Sequence, residues 1–437
     1  MADMEIALTT DSSGESFCVS VWSISSGMQI KTYKTGSCLA HGLSLLGSQY
    51  VLGAQMGKPI LHVWNVAKEQ LHMKMICPGR ISAVTCSPDG NYCVAACGEK
   101  IYVWQVGTGR LHAVIARHYQ RVTCLVFTDD GTHLISGGDD NMVIIWSMAE
   151  LLCQSSPSLS SEQSLIPTYT WSDHALPVTD IHCSSGGSRA RVFTSSLDQT
   201  CKLYSLASGD LLCSFVFDCS ITAIVTDPAE YNLFAGASNG RIYQIMLYNP
   251  GFKQENHITN EGALNFTGHS KQVTSLAVTM DGTVLLSGSN DNTARVWHIQ
   301  SRQSIRTLTH KGAVTNVQII RRPVNFTDPL SRNLWPPLQP FKRHMESRSS
   351  KSNDSVQDTG VAVNLSNKIP KETLDLKTRV RTIMVDNDQK TKATAVSKRS
   401  HEDLIEDVQQ LKRINQNFYQ FAVEELMAEV HKSLEGT

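Results

Sequence analysis

A histidine, a hydroxyl and a carboxylate recur at fixed distances along this chain. His118 is followed by Ser136 and Asp140, and His269 by Ser287 and Asp291. In both sets the serine stands four residues before the aspartate, and the aspartate six before a tryptophan, Trp146 or Trp297. A third set, His174, Thr194 and Asp198, ends on Tyr204 and has two more residues between imidazole and hydroxyl. Imidazole between hydroxyl and carboxylate is the constellation of Ser-His-Asp nucleophilic catalysis. A nucleophile is needed once in an active site, whereas this set is written three times. The repetition points instead to buried polar groups that satisfy one another's hydrogen bonds. No nucleophile elbow, phosphate-binding glycine loop or metal-spaced histidine cluster accompanies it. The expectation is therefore a non-catalytic chain with no catalytic, cofactor-binding or metal-binding residue, and no cofactor.

The elements that position these residues are repeats. CVSVW (18–22), ILHVW (60–64), KIYVW (100–104), MVIIW (142–146) and TARVW (293–297) end in Trp, and CKLYS (201–205) and RIYQI (241–245) are degenerate copies, with Tyr204 and Gln244 at the Trp place. A period of roughly 40 residues is that of a four-stranded propeller blade. Within a repeat, β-branched runs alternate with Asp-Gly and Asn-rich turns, as in QVTSLAV, MDG, TVLLSGS, NDN, TARVWHI. Helical periodicity is absent up to residue 320. The longer polar pieces at 154–164 and 249–262 read as surface loop insertions. Blades around Trp22, Trp64, Trp104 and Gln244 lack the aspartate and are expected to be held by packing. The first blade lacks its innermost strand, and AVTNVQII (313–320) is left over, so that segment is expected to close the ring and leave no open sheet edge. The fold class is thus all-β, a seven-bladed propeller over residues 1–320.

Composition agrees. Charged residues are 18% of the chain, below the roughly 25% of average soluble proteins, and hydrophobic residues are 41%. A net charge of −1 gives no bulk attraction for nucleic acid. The twelve cysteines, several in apolar runs (Cys18, Cys86, Cys93, Cys124, Cys183, Cys201), contain no Cys-x-x-Cys and read as small buried hydrophobes in a reducing compartment. There is neither a secretion signal nor an apolar run of ~18 residues, so no membrane contact is expected.

Beyond Ile320 the composition shifts to Pro, Ser and an excess of basic over acidic residues. Residues 321–400 read as a basic, largely disordered linker, with nuclear import or RNA contact as its functional readings. Its apolar island LWPPLQPF (334–341) is either a docking motif or packs on the propeller wall. Residues 401–433, free of Gly and Pro, read as a coiled-coil-like amphipathic helix. Leu404, Val408, Leu411, Asn415 and Phe418 form its seam, with Asn415 at a register-setting core position, and Ile414 and Phe421 widen the stripe. The helix is expected to bind a partner or a second copy.

These words resemble the WD repeat. His118, Ser136, Asp140 and Trp146, His174, Thr194, Asp198 and Tyr204, and His269, Ser287, Asp291 and Trp297 match that family's structural tetrad. ARHYQRVTCLVF (116–127), DHALPVTDIHC (173–183), RVFTSSLDQTCKLYSLASGDLL (191–212) and LKRINQNFYQF (411–421) further resemble one WD-repeat family, the propeller subunit of the Rix-type, PELP-centred complex. That resemblance implies a scaffold subunit in large ribosomal subunit maturation and rRNA processing. The implied partners are a helical-repeat scaffold subunit and other members of the complex, a SUMO protease, the midasin ATPase and the pre-large-subunit ribosome. It also implies a nuclear protein (nucleolus and nucleoplasm) with a cytoplasmic pool, and a developmental role in some members. WD propellers with helical tails also serve as ubiquitin-ligase receptors and axonemal dynein assembly factors, which is the alternative reading.

Overall fold

A computed structural model describes residues 5–13, 19–34, 36–47, 49–67, 69–153, 166–248, 253–258, 264–323 and 338–343. They form seven antiparallel sheets whose innermost strands neighbour one another in a closed ring. Blade 1 contains Glu5–Asp11, Val19–Ser23 and Gln29–Tyr33; blade 2 contains Cys38–Leu46, Tyr50–Gln55, Ile60–Asn65 and Leu71–Ile76. Blade 3 runs through Ile81–Cys86, Tyr92–Cys97, Lys100–Gln105 and Leu111–Ala116, and blade 4 through Val122–Phe127, His133–Gly138, Val143–Ser147 and Tyr169–Trp171. Blade 5 comprises Val178–Cys183, Arg191–Ser196, Thr200–Ser205 and Leu211–Phe217; blade 6, Ile221–Thr226, Asn232–Ala237, Ile242–Met246 and Leu264–Phe266; blade 7, Val273–Val278, Val284–Ser289, Thr293–His298 and Gln303–Thr309.

The ring closes by overlap. Val314–Arg321 is the innermost strand of blade 1 and pairs antiparallel with Glu5–Asp11, from Glu5 opposite Arg321 to Asp11 opposite Val314. The seam to blade 2 is tied by Asn316, whose Nδ2 donates to Leu39 O (2.6 Å), and by Gln318, whose Nε2 donates to Leu43 O (3.0 Å).

A second device joins the blades. The innermost strands of blades 4 to 7 each carry a one-residue register shift at their second position. A bulge turns the extra side chain out of the pleat, and here that residue is Thr123, Thr179, Thr222 or Thr274. Each threonine donates to the first carbonyl of the next blade's inner strand: Thr123 to Val178 O (2.7 Å), Thr179 to Ile221 O (2.8 Å), Thr222 to Val273 O and Thr274 to Val314 O (2.6 Å). The same bulge in blade 3 holds Ser82, which lacks the threonine methyl and bonds only within its own blade, to Ala96 O at 3.4 Å.

Three sequence expectations need correction. Met148–Cys153 is a short α-helix, whose Met148 and Leu151 pack on the wall between blades 3 and 4. The insertion at 249–262 does not remain a loop: Glu255–Ile258 adds a parallel fifth strand to the outer edge of blade 5. Leu233 faces Ile245 as Leu134 faces Trp146, so Ile245 and not Gln244 stands at the tryptophan place of blade 6. Of the two readings of the apolar island, its residues 338–341 follow the second: they pack on the propeller, with Leu338 and Phe341 buried. The insertion at 154–164, the rest of the linker and the helix at 401–433, with Leu404, Val408, Leu411, Ile414, Asn415, Phe418 and Phe421, lie outside the described residues.

Candidate protein-interaction surface

The histidine sets are assembled by the turn between the second and third strands of a blade, where Asn141, Gln199 and Asn292 adopt left-handed φ of 64°, 66° and 65° directly after the aspartates. In blade 4, His118 Nδ1 lies 2.9 Å from Asp140 Oδ2, His118 Nε2 lies 2.9 Å from Ser136 Oγ, and Trp146 Nε1 donates to the same Oγ at 3.1 Å. Blade 7 repeats this with His269 to Asp291 at 2.9 Å, His269 to Ser287 at 2.7 Å and Trp297 to Ser287 at 2.8 Å. The donor chain runs from indole N–H to hydroxyl, hydroxyl to Nε2 and Nδ1–H to carboxylate, which suits a neutral imidazole. Burial holds His269 below its ordinary value, and Asp291 is brought down to about 2 by Thr293, His269 and the Ser270 N–H against the opposing effect of burial.

Blade 5 differs in one bond. His174 bonds Asp198 (2.9 Å) and Thr194 (2.8 Å), but the Tyr204 hydroxyl reaches past them and donates to Asp173 Oδ2 at 3.0 Å. A phenol is longer than an indole N–H and overshoots the threonine, so this set is a triad plus a separate tyrosine–aspartate bond. Ser136, Thr194 and Ser287 are each 0% exposed, so no substrate reaches these hydroxyls. The constellation that looks catalytic in sequence is a clamp.

The remaining blades show what replaces the clamp. Blade 1 keeps half of it: Trp22 Nε1 donates to Thr9 Oγ1 at 2.8 Å, and His310 packs edge-on against Trp22 with ring centroids 5.6 Å apart. In blades 2 and 3 the hydroxyl position is occupied by Gly53 and Ala95, so neither indole has an acceptor in its own blade. Trp64 Nε1 is buried without a hydrogen-bond partner. Trp104 Nε1 instead donates to Lys342 O at 2.8 Å, and Phe341 stacks on the Trp104 ring at 5.2 Å and 7°.

That contact belongs to a repeating slot on the blade wall. One outer-strand residue of each blade lies opposite the position before the tryptophan: Lys31, Met73, Tyr169 and Arg306 in blades 1, 2, 4 and 7. Where it is a donor, it reaches the turn after the next blade's third strand. Lys31 Nζ donates to Ala67 O (3.1 Å), Tyr169 Oη to Ala207 O (3.3 Å) and Arg306 Nη2 to Ser25 O (2.6 Å). Met73 cannot donate, and in that slot the backbone of the late segment does so: Gln339 N to Val106 O (3.4 Å) and Lys342 N to Gly109 O (2.8 Å). A glycine floors the slot because a Cβ at Gly109 would stand 2.2 Å from Pro340 O, and one at Gly209 would stand 2.6 Å from the Tyr169 ring. The outer strand of blade 2 likewise has Met75 where blades 1, 4 and 6 place Tyr33, Trp171 and Phe266 against the next blade's ring, and Phe341 supplies the missing aromatic.

Among the described residues, open concavities lie on both faces of the ring. At the channel mouth, His41, Arg121, Asp139, Leu197 and Gln272 line a recess of about 270 Å³, with Tyr119 and Leu176 exposed on the same face. Next to its His41, burial raises the Asp180 carboxyl, against the opposing influence of His41 at 3.8 Å. On the opposite face, a groove of about 590 Å³ lies between blades 7 and 1. Among the described residues, no group of acidic, histidine and cysteine side chains is placed to hold a metal, and no helix is long and apolar enough to cross a membrane. Cys86, Cys93, Cys124 and Cys201 are buried free thiols, Cys183 is half-buried, and Cys18 lies outside the described residues.

Residues 71–105, 109–147, 165–205 and 262–298 match the WD40 family, described as WD domain, G-beta repeat. The chain is 45% identical to WD repeat-containing protein 18 of Homo sapiens over 349 residues, 79% of each chain. It is 38% identical to the protein of that name from Danio rerio over 436 residues, covering 97% of this chain and 98% of the relative. It is 28% identical to pre-rRNA-processing protein pro-1 of Caenorhabditis elegans over 309 residues, 69% of this chain and 56% of that protein. A seven-bladed ring closed by its own two ends, with WD repeats in four stretches and this identity along most of its length, belongs to the WD repeat-containing protein 18 family.

Proposed function

We propose that this protein is a non-catalytic scaffold subunit of a nuclear assembly that acts in large ribosomal subunit maturation and rRNA processing. The observation that carries the reading is the conversion of every Ser-His-Asp-like set into a sealed structural clamp, in a chain whose relatives include a pre-rRNA-processing protein. A rigid disc with two loop faces and a side wall offers surface, and no bond-making chemistry is required of it. The propeller serves as the platform. The basic stretch between residues 344 and 400 tethers the helix at 401–433, which pairs with a helical-repeat scaffold subunit of the same complex, or with a second copy. The SUMO protease, the midasin ATPase and the pre-large-subunit particle are the further partners, met in nucleolus and nucleoplasm, with a pool in the cytoplasm.

Sedimentation of cell extracts tests the role. The full chain is expected to travel with pre-large-subunit particles, and a chain lacking 401–437 to leave them while its propeller melts unchanged. Full retention of the truncated chain on the scaffold subunit removes the helix from the account. Absence of the full chain from those particles removes the ribosomal role.

A further inference from the structure

The groove between blades 7 and 1 corresponds, by strand register, to one that this protein fills with its own residues 338–343. At the blade 2–3 junction, Leu338 and Phe341 share one apolar cluster with Tyr50, Val63 and Val106. Strand register places Val284, Val296 and Ile24 at the corresponding positions of the blade 7–1 junction, and Ile24, Val284 and Val296 line the open groove together with Met280 and Ile305. Met280 is 69% and Ile305 51% exposed, which is unusual for side chains of this size at the rim of a concavity.

The charges at the rim select the visitor. The two carboxylates are already engaged: Glu5 Oε1 accepts the Met280 N–H at 3.0 Å, and Asp281 accepts from the Thr279 hydroxyl (2.5 Å), the Thr283 N–H (3.1 Å) and the Thr283 hydroxyl (2.8 Å). Among the described residues, neither guanidinium has a carboxylate oxygen within ion-pairing distance. Arg306 donates to the neutral Ser25 carbonyl, and neither Arg306 nor Arg321 forms an ion pair with the groove's two acids. A guanidinium at the lip of an apolar trough favours a planar carboxylate.

We propose that the blade 7–1 groove is a docking site for an extended segment of a partner protein that carries a leucine or phenylalanine flanked by acidic residues. The apolar side chain lies against Ile24, Val284, Val296 and Ile305, as Leu338 and Phe341 lie at the other junction, and the flanking carboxylates meet Arg306 and Arg321. The surface is the same whatever the partner's role, so the proposal stands apart from the ribosomal reading.

The test uses the full chain and a fluorescein-labelled peptide, Glu-Leu-Asp-Pro-Phe-Asp, followed by fluorescence anisotropy. Saturable binding is expected, weakened at least about ten-fold by Ile305→Asp and by Arg321→Glu, and weakened similarly when the peptide's carboxylates are replaced by amides. Both substitutions are at exposed or rim positions, and unchanged melting curves check that the variants fold. Absence of saturation at about 1 mM, or equal binding by wild type and both variants, overturns the proposal. Binding that instead disappears with Met73→Arg, at the blade 2–3 slot, also overturns it. So does binding seen only after residues 324–337 are deleted, since that makes the protein's own segment the occupant.

Discussion

Blades 4, 5 and 7 and blades 2 and 3 solve one problem in opposite ways. Each must hold a large aromatic ring of its third strand in a nearly dry site between blades. Blades 4, 5 and 7 do so locally, with a histidine between a hydroxyl and a carboxylate drawn from within about 30 residues of one another. Blades 2 and 3 have Gly53 and Ala95 where that hydroxyl belongs, and blade 3 recovers an acceptor from Lys342, far along the chain. The inter-blade threonines divide the ring at the same place: Thr123, Thr179, Thr222 and Thr274 link blades 4 to 5, 5 to 6, 6 to 7 and 7 to 1, and Ser82 of blade 3 links nothing. A polar contact that is local in sequence forms with the blade, whereas one supplied from a distance forms only once the ring exists. The two arcs should therefore differ in how they fail.

The largest effect is expected from the clamp. Ser287→Ala leaves the Trp297 indole N–H and His269 Nε2 buried without their shared partner, a loss of about 2–3 kcal/mol for two orphaned groups. Urea denaturation of wild type and variant measures it, and a loss below about 0.5 kcal/mol would mean that packing, not the clamp, holds blade 7. The clamp also has an acid signature. The folded-state value of Asp291 lies at about 2, below its ordinary 3.8, so its contribution is complete above pH about 4 and is lost as the pH falls through 2. The stability gap between wild type and Asp291→Asn should accordingly be constant from pH 7 to about 5 and close between about 4 and 2. His62 of blade 2, pushed down to about 4 by burial with help from Lys74 and Lys58, works in a different window. The unfolded chain takes up that proton first, so its effect is a loss of stability from pH 6.5 down to 4.

An intermediate effect is expected from the borrowed segment. Phe341→Ala removes a buried ring stacked on Trp104 and loosens the backbone that serves Val106, Gly109 and the indole. The cost is about 1–3 kcal/mol, less than a core phenylalanine, because the whole segment can lift away and let water reach Trp104. Limited proteolysis should show cleavage near residue 340 appearing in the variant while blades 4 to 7 stay protected. Met73→Arg should reduce the dependence on Phe341 by supplying the donor that Arg306 supplies in blade 7. If the double variant is no more stable than Phe341→Ala alone, the reading of the slot is wrong.

The boundary between the arcs is also the boundary of what could be read from the sequence. Period, turn chemistry and the spacing of His118, Ser136, Asp140 and Trp146 are all local, and the closing strand followed from arithmetic on strands. Tyr204 was placed correctly and its bond was not, because spacing fixes where a side chain starts and says nothing of where a longer one ends. The sequence points to Gln244 for the aromatic position because its repeat has no tryptophan to fix the register, and in a strand a slip of one residue changes the face. Glu255–Ile258 reads in sequence only as part of a polar loop insertion, and Leu338–Lys342 only as part of an apolar island, since their partners lie elsewhere in the chain. The signal for the second was present in Met73, Met75 and Ala95, the residues that leave blades 2 and 3 short of a donor, a ring and an acceptor.

The smallest effect addresses the threonine links. Thr222→Val keeps the shape and the β-preference of the side chain and removes one hydroxyl, 7% exposed, which bonds both Val273 O and Gly236 O. The lost link is worth about 1 kcal/mol, and it should act on blade separation more than on either blade. Hydrogen exchange of the inner strands 221–226 and 273–278 should quicken together, with the outer strands unaffected. Ser82→Ala, at the same bulge in blade 3, breaks only a 3.4 Å bond within its own sheet and should leave exchange of blade 4 unchanged. Reversing that change, Ser82→Thr adds the methyl that fixes the rotamer in blades 4 to 7. If it slows exchange at 122–127, the gap in the ring of links comes from the single missing carbon; if it does not, the blade 3–4 spacing sets it.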